Sequence, residues 1–169
     1  MLKIINNLKP FFEDCYRRIN VREYAKIIRI SPPTASRLLA YYNSEGLLLK
    51  ETYRNYMLFH ANNESRNFID LSRIYWRREL ADIISYMERE LVNPVIILFG
   101  SLAKAETKSD SDVDLAVLAS KKELNMSRFE GRMKRGVQLF WFGSLAEVKN
   151  EGLANNIVNG YILSGRLQI

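Results

Sequence analysis

Residues 94–118 have the sequence PVIILFGSLAKAETKSDSDVDLAVL. The run 95–99 is apolar at every position and has the length of a strand, which predicts a strand covered on both faces. Residues 113–118 predict a second strand, and residues 137–142 predict a third. Short strands separated by polar loops and preceded by helical periodicity predict an α+β fold.

Two aspartates stand at the head of the second predicted strand. Because side chains alternate along a strand, Asp112 and Asp114 are expected on one face, about 6 to 7 Å apart along the backbone. Val113, Leu115 and Val117 would face the other way and hold the pair on a rigid core element. Carboxylates this close repel each other unless a cation lies between them. Hard oxygen ligands of this kind suit Mg²⁺, so the pattern predicts a magnesium site.

A glycine–serine pair follows the first predicted strand. Gly100 lets the backbone approach a phosphate closely, while free N–H groups and the Ser101 hydroxyl can donate hydrogen bonds to it. A glycine after a strand is weak evidence by itself. Gly-Ser, ten intervening residues and then Asp-x-Asp, all bracketed by strands, form a more specific pattern.

This pattern resembles the signature of the DNA polymerase β-like nucleotidyltransferase superfamily, specifically the minimal nucleotidyltransferases of prokaryotes. The resemblance implies a small α/β domain with a mixed sheet, in which an acceptor hydroxyl attacks the α-phosphate of a nucleoside triphosphate and pyrophosphate leaves. It further implies that Gly100 and Ser101 hold the triphosphate, and that Asp112 and Asp114 are catalytic and hold one or two Mg²⁺ ions. A loop lysine would neutralise phosphate charge, either Lys104 or Lys108.

The sequence departs from the family pattern at two positions. The usual second glycine after Gly-Ser is replaced by Ala105, and the third carboxylate expected on the later strand is replaced by Gln138. A neutral amide cannot serve as an anionic ligand or a general base. Either another carboxylate completes the site, or the domain binds nucleotide without turning it over. The substitutes that the sequence offers are Asp110, Glu123 and Glu130.

The first third of the chain predicts three helices and a β-hairpin. Apolar periodicity predicts helices over 2–19, with a kink near a proline, over 21–28, and from residue 32 or 33 to about residue 43. A change of period over 47–59 predicts the hairpin. This order, matched position by position, resembles a winged helix-turn-helix.

The two resemblances divide the chain into three parts. A winged helix-turn-helix DNA-binding domain would occupy residues 1–62, connecting helices 63–93, and a minimal nucleotidyltransferase domain 94–169. The closing segment 155–165 resembles the tail of prokaryotic proteins that fuse these two domain types.

Outward side chains of the third helix would face the DNA major groove, and the hairpin tip would reach the backbone or minor groove. Residues 1–60 carry ten Lys/Arg against five Asp/Glu, which favours a phosphate-rich partner such as double-stranded DNA. A protein-interaction or dimerisation role for the module is the alternative. The predicted DNA-binding residues are Thr34, Ser36, Arg37, Tyr41 and Arg54.

Composition excludes several other kinds of site. Cys15 is the only cysteine, so an internal disulfide is excluded, and no cysteine–histidine cluster suits zinc. Cys15 and the single histidine, His60, are expected to be structural. The N-terminal residues lack a secretory-signal pattern and no apolar stretch has the length of a membrane span, so we expect a cytoplasmic protein without membrane contact.

Three functional hypotheses follow. The first is a Mg²⁺-dependent nucleotidyltransferase that moves an NMP, with ATP the favoured donor, onto a protein or nucleic-acid hydroxyl. The second is a DNA-binding transcriptional regulator whose nucleotidyltransferase fold is a nucleotide sensor or homodimer scaffold. The third is an antitoxin-like nucleotidyltransferase acting on a toxin partner. The aspartate pair favours the first and third, whereas the basic N-terminal region and the missing carboxylate favour the second.

Overall fold

The computed structural model describes residues 2–167 and divides the chain into two compact units. The N-terminal unit comprises the residues up to Tyr75 together with Ala105–Ser109. The C-terminal unit comprises Trp76–Lys104 and the residues from Asp110 onward. Each unit combines helices with its own sheet, which confirms the predicted α+β class. The predicted boundaries at residues 62 and 93 stay predictions.

The N-terminal unit begins with three helices and a three-stranded sheet. Asn20 and Ser31 cap the second and third helices, because their side-chain oxygens accept from the backbone N–H groups of Glu23 and Thr34. The elements that begin in this unit are α1 (Leu2–Glu13), β1 (Ile19–Asn20), α2 (Val21–Ile28), α3 (Pro32–Ser44), β2 (Leu48–Tyr53), β3 (Tyr56–Ala61) and α4 (Arg66–Glu79), of which the last four residues belong to the C-terminal unit.

The sheet of this unit is antiparallel, in the order β1-β3-β2. Phe12 lies in the core between Phe68 and Tyr75, with ring centroids 5.1 and 5.3 Å away. The prediction that the first helix extends to Ile19 is wrong. Helix α1 ends at Glu13, and Ile19 instead pairs with Phe59 in the sheet.

The C-terminal unit is built on a four-stranded mixed sheet in the order β6-β5-β4-β7. Strand β4 runs antiparallel to β5 and β7, and β5 runs parallel to β6. The elements are α5 (Ala81–Glu90), β4 (Val95–Phe99), α6 (Gly100–Lys104), β5 (Val113–Leu118), α7 (Ser127–Met133), β6 (Val137–Phe142), a 3₁₀ turn (Leu145–Glu147), α8 (Glu151–Val158) and β7 (Tyr161–Ser164).

The three strands predicted at 95–99, 113–118 and 137–142 are confirmed with the same bounds. Strand β4 is apolar and mostly buried, as expected for a strand covered on both faces, and β5 is apolar and mostly buried apart from the half-buried Asp114. The region of the predicted connecting helices contains α4 and α5, and the helical path breaks between them at Leu80. No helix within residues 2–167 has the length and hydropathy needed to cross a bilayer.

Candidate active site

The aspartate pair lies at the end of the sheet where β5 begins. Asp114 lies in register between Phe99 of β4 and Gln138 of β6. Asp112 immediately precedes the strand, and the backbone N–H of the next residue, Val113, donates to the Gly136 carbonyl at 2.9 Å. Both aspartates are half-buried. Pairing on both sides therefore fixes the backbone that carries the two carboxylates.

Two glycines make room for these carboxylates. Gly100 has a left-handed backbone with φ +69°, and a Cβ at this position would collide with the Asp114 carboxylate. A Cβ on Gly136 would lie 2.6 Å from Asp112 Oδ1. Gly100 was predicted as a site residue, whereas Gly136 was not. Each carboxylate thus packs directly against glycine backbone, and a side chain at either position would displace it.

The electrostatics of the pair favour a bound cation. The pKa of the Asp114 carboxyl is raised above its ordinary value, first because burial removes water and second because the Asp112 charge is close. A divalent cation would relieve both effects. The donors are hard carboxylate oxygens, which fit Mg²⁺ with water and phosphate oxygens as its other ligands.

Gln138 contacts the pair as a hydrogen-bond donor. Its Nε2 donates to Asp112 Oδ2 at 2.6 Å. This contact orients Asp112 and occupies a lone pair on the oxygen. Because an amide is neutral, the site carries two negative charges where a third carboxylate would make three.

The substitute carboxylates do not complete a triad. Asp110 and Glu123 are exposed, and Glu130 accepts a hydrogen bond from the Val137 backbone N–H at 3.0 Å. Within residues 2–167, no group of three or more Asp, Glu, His or Cys side chains is placed to hold a metal ion. Asp112 and Asp114 are therefore the carboxylates that could hold a cation at this end of the sheet.

The lysines predicted to neutralise phosphate charge make other contacts. Lys104 Nζ donates to Asn156 Oδ1 at 2.7 Å, which ties the end of α6 to α8. Lys108 belongs to the N-terminal unit, where its ammonium lies 5.8 Å from the centroid of the Tyr16 ring. Ser101 is half-buried and follows Gly100 at the start of α6, and its role in holding the triphosphate stays a prediction.

The side chain of Arg135 braces the loop before Asp112, a role that the sequence did not indicate. Its Nη1 donates to the Ser111 carbonyl at 2.6 Å, and its guanidinium lies 5.3 Å from the centroid of the buried Trp76 ring. Arg135 directly precedes Gly136, which the parallel pairing of β5 and β6 brings beside Asp112. A correct prediction that β5 pairs with β6 would have placed Arg135 next to the loop before Asp112.

Four of the predicted DNA-binding side chains are exposed: Ser36, Arg37, Tyr41 and Arg54. Thr34 is half-buried, and its hydroxyl lies 2.9 Å from Ser31 Oγ within the α3 cap. Arg54 lies over the Tyr53 ring at the hairpin tip, with the guanidinium 5.2 Å from the ring centroid. These four side chains are therefore accessible on α3 and at the hairpin tip, whereas Thr34 contacts the α3 cap. Their contacts with DNA stay a prediction.

The C-terminal unit is a small mixed-sheet domain with a carboxylate pair beside a glycine–serine turn. Residues 81–139 match the family model described as Polymerase beta, Nucleotidyltransferase. The matched span includes Gly100, Ser101, both aspartates and Gln138. The match supports a nucleotidyltransferase with a nucleoside triphosphate substrate, and such enzymes generally use a divalent metal such as Mg²⁺. No curated protein matches the chain.

Proposed function

We propose that this protein is a Mg²⁺-dependent nucleotidyltransferase that transfers an NMP, with ATP the favoured donor, to a hydroxyl of a protein or nucleic acid. Its N-terminal unit would be a winged helix that binds double-stranded DNA. One observation carries the enzymatic part: Asp112 and Asp114 pack against glycine backbone, and the pKa of Asp114 is raised by burial and by the neighbouring charge.

The roles of the residues follow from this placement. Asp112 and Asp114 would hold Mg²⁺, which when bound polarises the α-phosphate and offsets charge on the departing pyrophosphate. The Gly100 turn and the Ser101 hydroxyl would hold the triphosphate. Gln138 would keep Asp112 oriented through its 2.6 Å hydrogen bond. Because an amide cannot accept the acceptor's proton, this arrangement favours an acceptor hydroxyl that is itself acidic.

The first test compares two aspartates of the same loop. Asp112→Asn should abolish Mg²⁺-dependent release of pyrophosphate from α-labelled nucleoside triphosphates and abolish labelling of an acceptor. Asp110→Asn should retain both activities, because Asp110 is exposed and outside the pair. The absence of both pyrophosphate release and calorimetric binding of Mg²⁺ with any common triphosphate would exclude an enzyme.

A second candidate function is a DNA-binding regulator that senses nucleotide without turning it over. The observation that favours it is Gln138, which lies at the register position beside Asp114 and supplies no base. This candidate predicts that Mg²⁺ and a triphosphate bind without pyrophosphate release, and that binding changes the affinity of the protein for DNA. Nucleotide turnover by the wild type but not by Asp112→Asn would exclude it.

A further inference from the structure

Strand β6 lies at one edge of the C-terminal sheet, so β5 pairs with only one of its two sides. The parallel register pairs Val113 with Val137, and the Val113 N–H donates to the Gly136 carbonyl. The even-numbered residues of β6 therefore bond to β5, whereas the odd-numbered residues direct their N–H and C=O groups away from the sheet. These outward-facing residues are Val137, Leu139 and Trp141.

Two carboxylates cap the ends of this outer edge. Glu130 Oε1 accepts from the Val137 N–H at 3.0 Å. Gly143, which continues the odd-numbered series just beyond the strand, donates its N–H to Glu147 Oε2 at 2.7 Å. The caps therefore satisfy the two outermost N–H groups of the edge and leave its middle open.

The middle of the edge consists of Leu139 and Trp141. Within residues 2–167, the N–H and C=O groups of these two residues form no hydrogen bond on the outer side. Both residues are half-buried, and unpaired backbone groups that lose contact with water are costly. Strand β6 also lacks the charged residues and prolines with which exposed edges usually prevent pairing. This open segment is therefore suited to pairing with another strand.

We propose that the strand that pairs there is β6 of a second copy of this chain, antiparallel and related by a two-fold axis at Phe140. In that register Leu139 of each copy faces Trp141 of the other, and four hydrogen bonds join all the open N–H and C=O groups. Shifting the strands by two residues in either direction would require the N–H of Val137 or of Gly143, which the caps already occupy. The caps therefore select one register.

The charges at the ends of the strand fit the same arrangement. Antiparallel pairing places the start of each β6 beside the end of the other, so Lys134 of one copy would lie near Glu147 of its partner. Both side chains are exposed, and neither forms an ion pair in the part of the chain that the structure describes. Lys134 would also offset the repulsion between Glu147 and the Glu130 cap that faces it.

The edge of β6 thus complements itself in length, register and charge, which favours a second copy over an unrelated strand. Pairing would join the two four-stranded sheets into one continuous sheet. The inference goes beyond nucleotidyl transfer and DNA binding and depends on neither.

The first test measures the mass of the full chain by sedimentation equilibrium. The wild type should approach twice the 19.7 kDa of one chain. Leu139→Pro should remain a monomer, because proline removes an outward N–H and is tolerated where an edge strand directs that group away from its sheet. A wild type that is monomeric up to its solubility limit would overturn the inference. So would a dimeric Leu139→Pro that circular dichroism shows to be folded.

The second test checks the register and does not depend on the proline variant. Phe140 would face its own counterpart, where facing Cα atoms lie about 4.5 Å apart, within the range that a disulfide spans. Phe140→Cys should therefore give a disulfide-linked dimer on mild oxidation, measured by non-reducing electrophoresis. The matched control is Phe142→Cys, on the same face of the same strand. Its counterpart would lie four residues away along the paired strand, at least about 13 Å, so it should not cross-link.

The wild type provides the background for the cysteine variants, since its single cysteine, Cys15, is buried and should stay unlinked. Equal cross-linking of Phe140→Cys and Phe142→Cys would overturn the proposed register. The same conclusion would follow if Phe140→Cys failed to cross-link at a concentration at which the wild type is dimeric. Cross-linking of Phe140→Cys alone would support the two-fold pair whether or not Leu139→Pro folds.

Discussion

Gly100 determines both the backbone conformation of its turn and the space available to the Asp114 carboxylate. Its φ of +69° is costly for residues with a side chain, and a Cβ would also meet the Asp114 carboxylate. We expect Gly100→Ala to lower the free energy of unfolding by more than the roughly 1 kcal/mol that left-handed strain alone costs. It should also weaken Mg²⁺–triphosphate binding, because the carboxylate must move. Urea unfolding and calorimetry measure the two effects.

Gly46 supplies the control for this prediction. Its φ is +68°, nearly the same as that of Gly100, but nothing lies within 4 Å of an added Cβ. Gly46→Ala should therefore show the backbone cost alone and leave nucleotide binding unchanged. If the two variants lost the same stability and bound nucleotide equally well, Asp114 would not depend on the space at Gly100.

The conformation of Ala105 explains why alanine is tolerated where the family pattern usually has a glycine. The residue has φ +57° and is fully buried. A left-handed position explains why glycine is usual there. Alanine has the smallest side chain with a Cβ, and its methyl group is packed in the core, which offsets part of the strain.

Among the helices and strands, the sequence predicted those that follow a local pattern of apolar residues. Strand β4 is a continuous apolar run, and β5 and β6 are apolar except for Asp114 and Gln138; the bounds of all three were predicted correctly. Strand β7 was not predicted, because it forms by pairing with β4, where Leu98 meets Tyr161. The two-residue strand β1 likewise exists only through its pairing with β3. Such pairings join residues that are far apart in the chain, so local periodicity cannot predict them.

The candidate site, too, was predictable only where it depends on residues that lie close together in the sequence. The aspartates and the glycine–serine turn form one motif along the chain, and the structure brings Gly100 against Asp114. The contacts of Lys104 with Asn156 and of Arg135 with Ser111 join separate elements. A sequence pattern could suggest that a lysine was near a phosphate but could not specify its partner.

Arg135 yields a prediction that concerns the pairing of β5 with β6. Arg135→Ala removes the donor to Ser111 and the stack on Trp76, so the loop before Asp112 should lose its anchor. A hydrogen bond from a charged group is worth about 1.5 to 3 kcal/mol, so Mg²⁺–triphosphate binding should weaken about tenfold to a hundredfold. Arg135→Lys should not restore it, because an ammonium lacks the planar fork and stacking surface of a guanidinium. Isothermal titration measures the affinity.

Arg132 is the matched control on the preceding helix. Its guanidinium forms an exposed ion pair with Asp82, so Arg132→Ala makes the same charge change away from the Ser111 loop. Nucleotide affinity should be unchanged in this variant. Equal weakening in both variants would mean that net charge, and not the brace, governs binding.

At the scale of the whole molecule, the chain leaves the C-terminal unit after Lys104 and returns to it at Asp110. The intervening segment Ala105–Ser109 belongs to the N-terminal unit, where the Cys15 backbone N–H donates to the Thr107 carbonyl at 2.8 Å. Burial raises the pKa of the Cys15 thiol to about 11, against hydrogen bonds from Thr107 that lower it. The N-terminal unit is therefore completed by residues that lie between the Gly-Ser turn and the aspartates in sequence.

This arrangement makes the Cys15 thiol a reporter of whether the segment is in place. Only the thiolate reacts with iodoacetamide, so the full chain should react slowly at pH 8 and faster only as the pH approaches 11. A fragment of residues 1–93 lacks Thr107, so water should reach Cys15 and its reaction should rise nearer pH 9. Because the folded pKa is raised, the thiol's contribution to stability is present below the unfolded pKa and is lost as the pH rises through about 11. Identical pH profiles for the full chain and a folded fragment would show that the segment does not shield Cys15, and circular dichroism of the fragment would establish that it is folded.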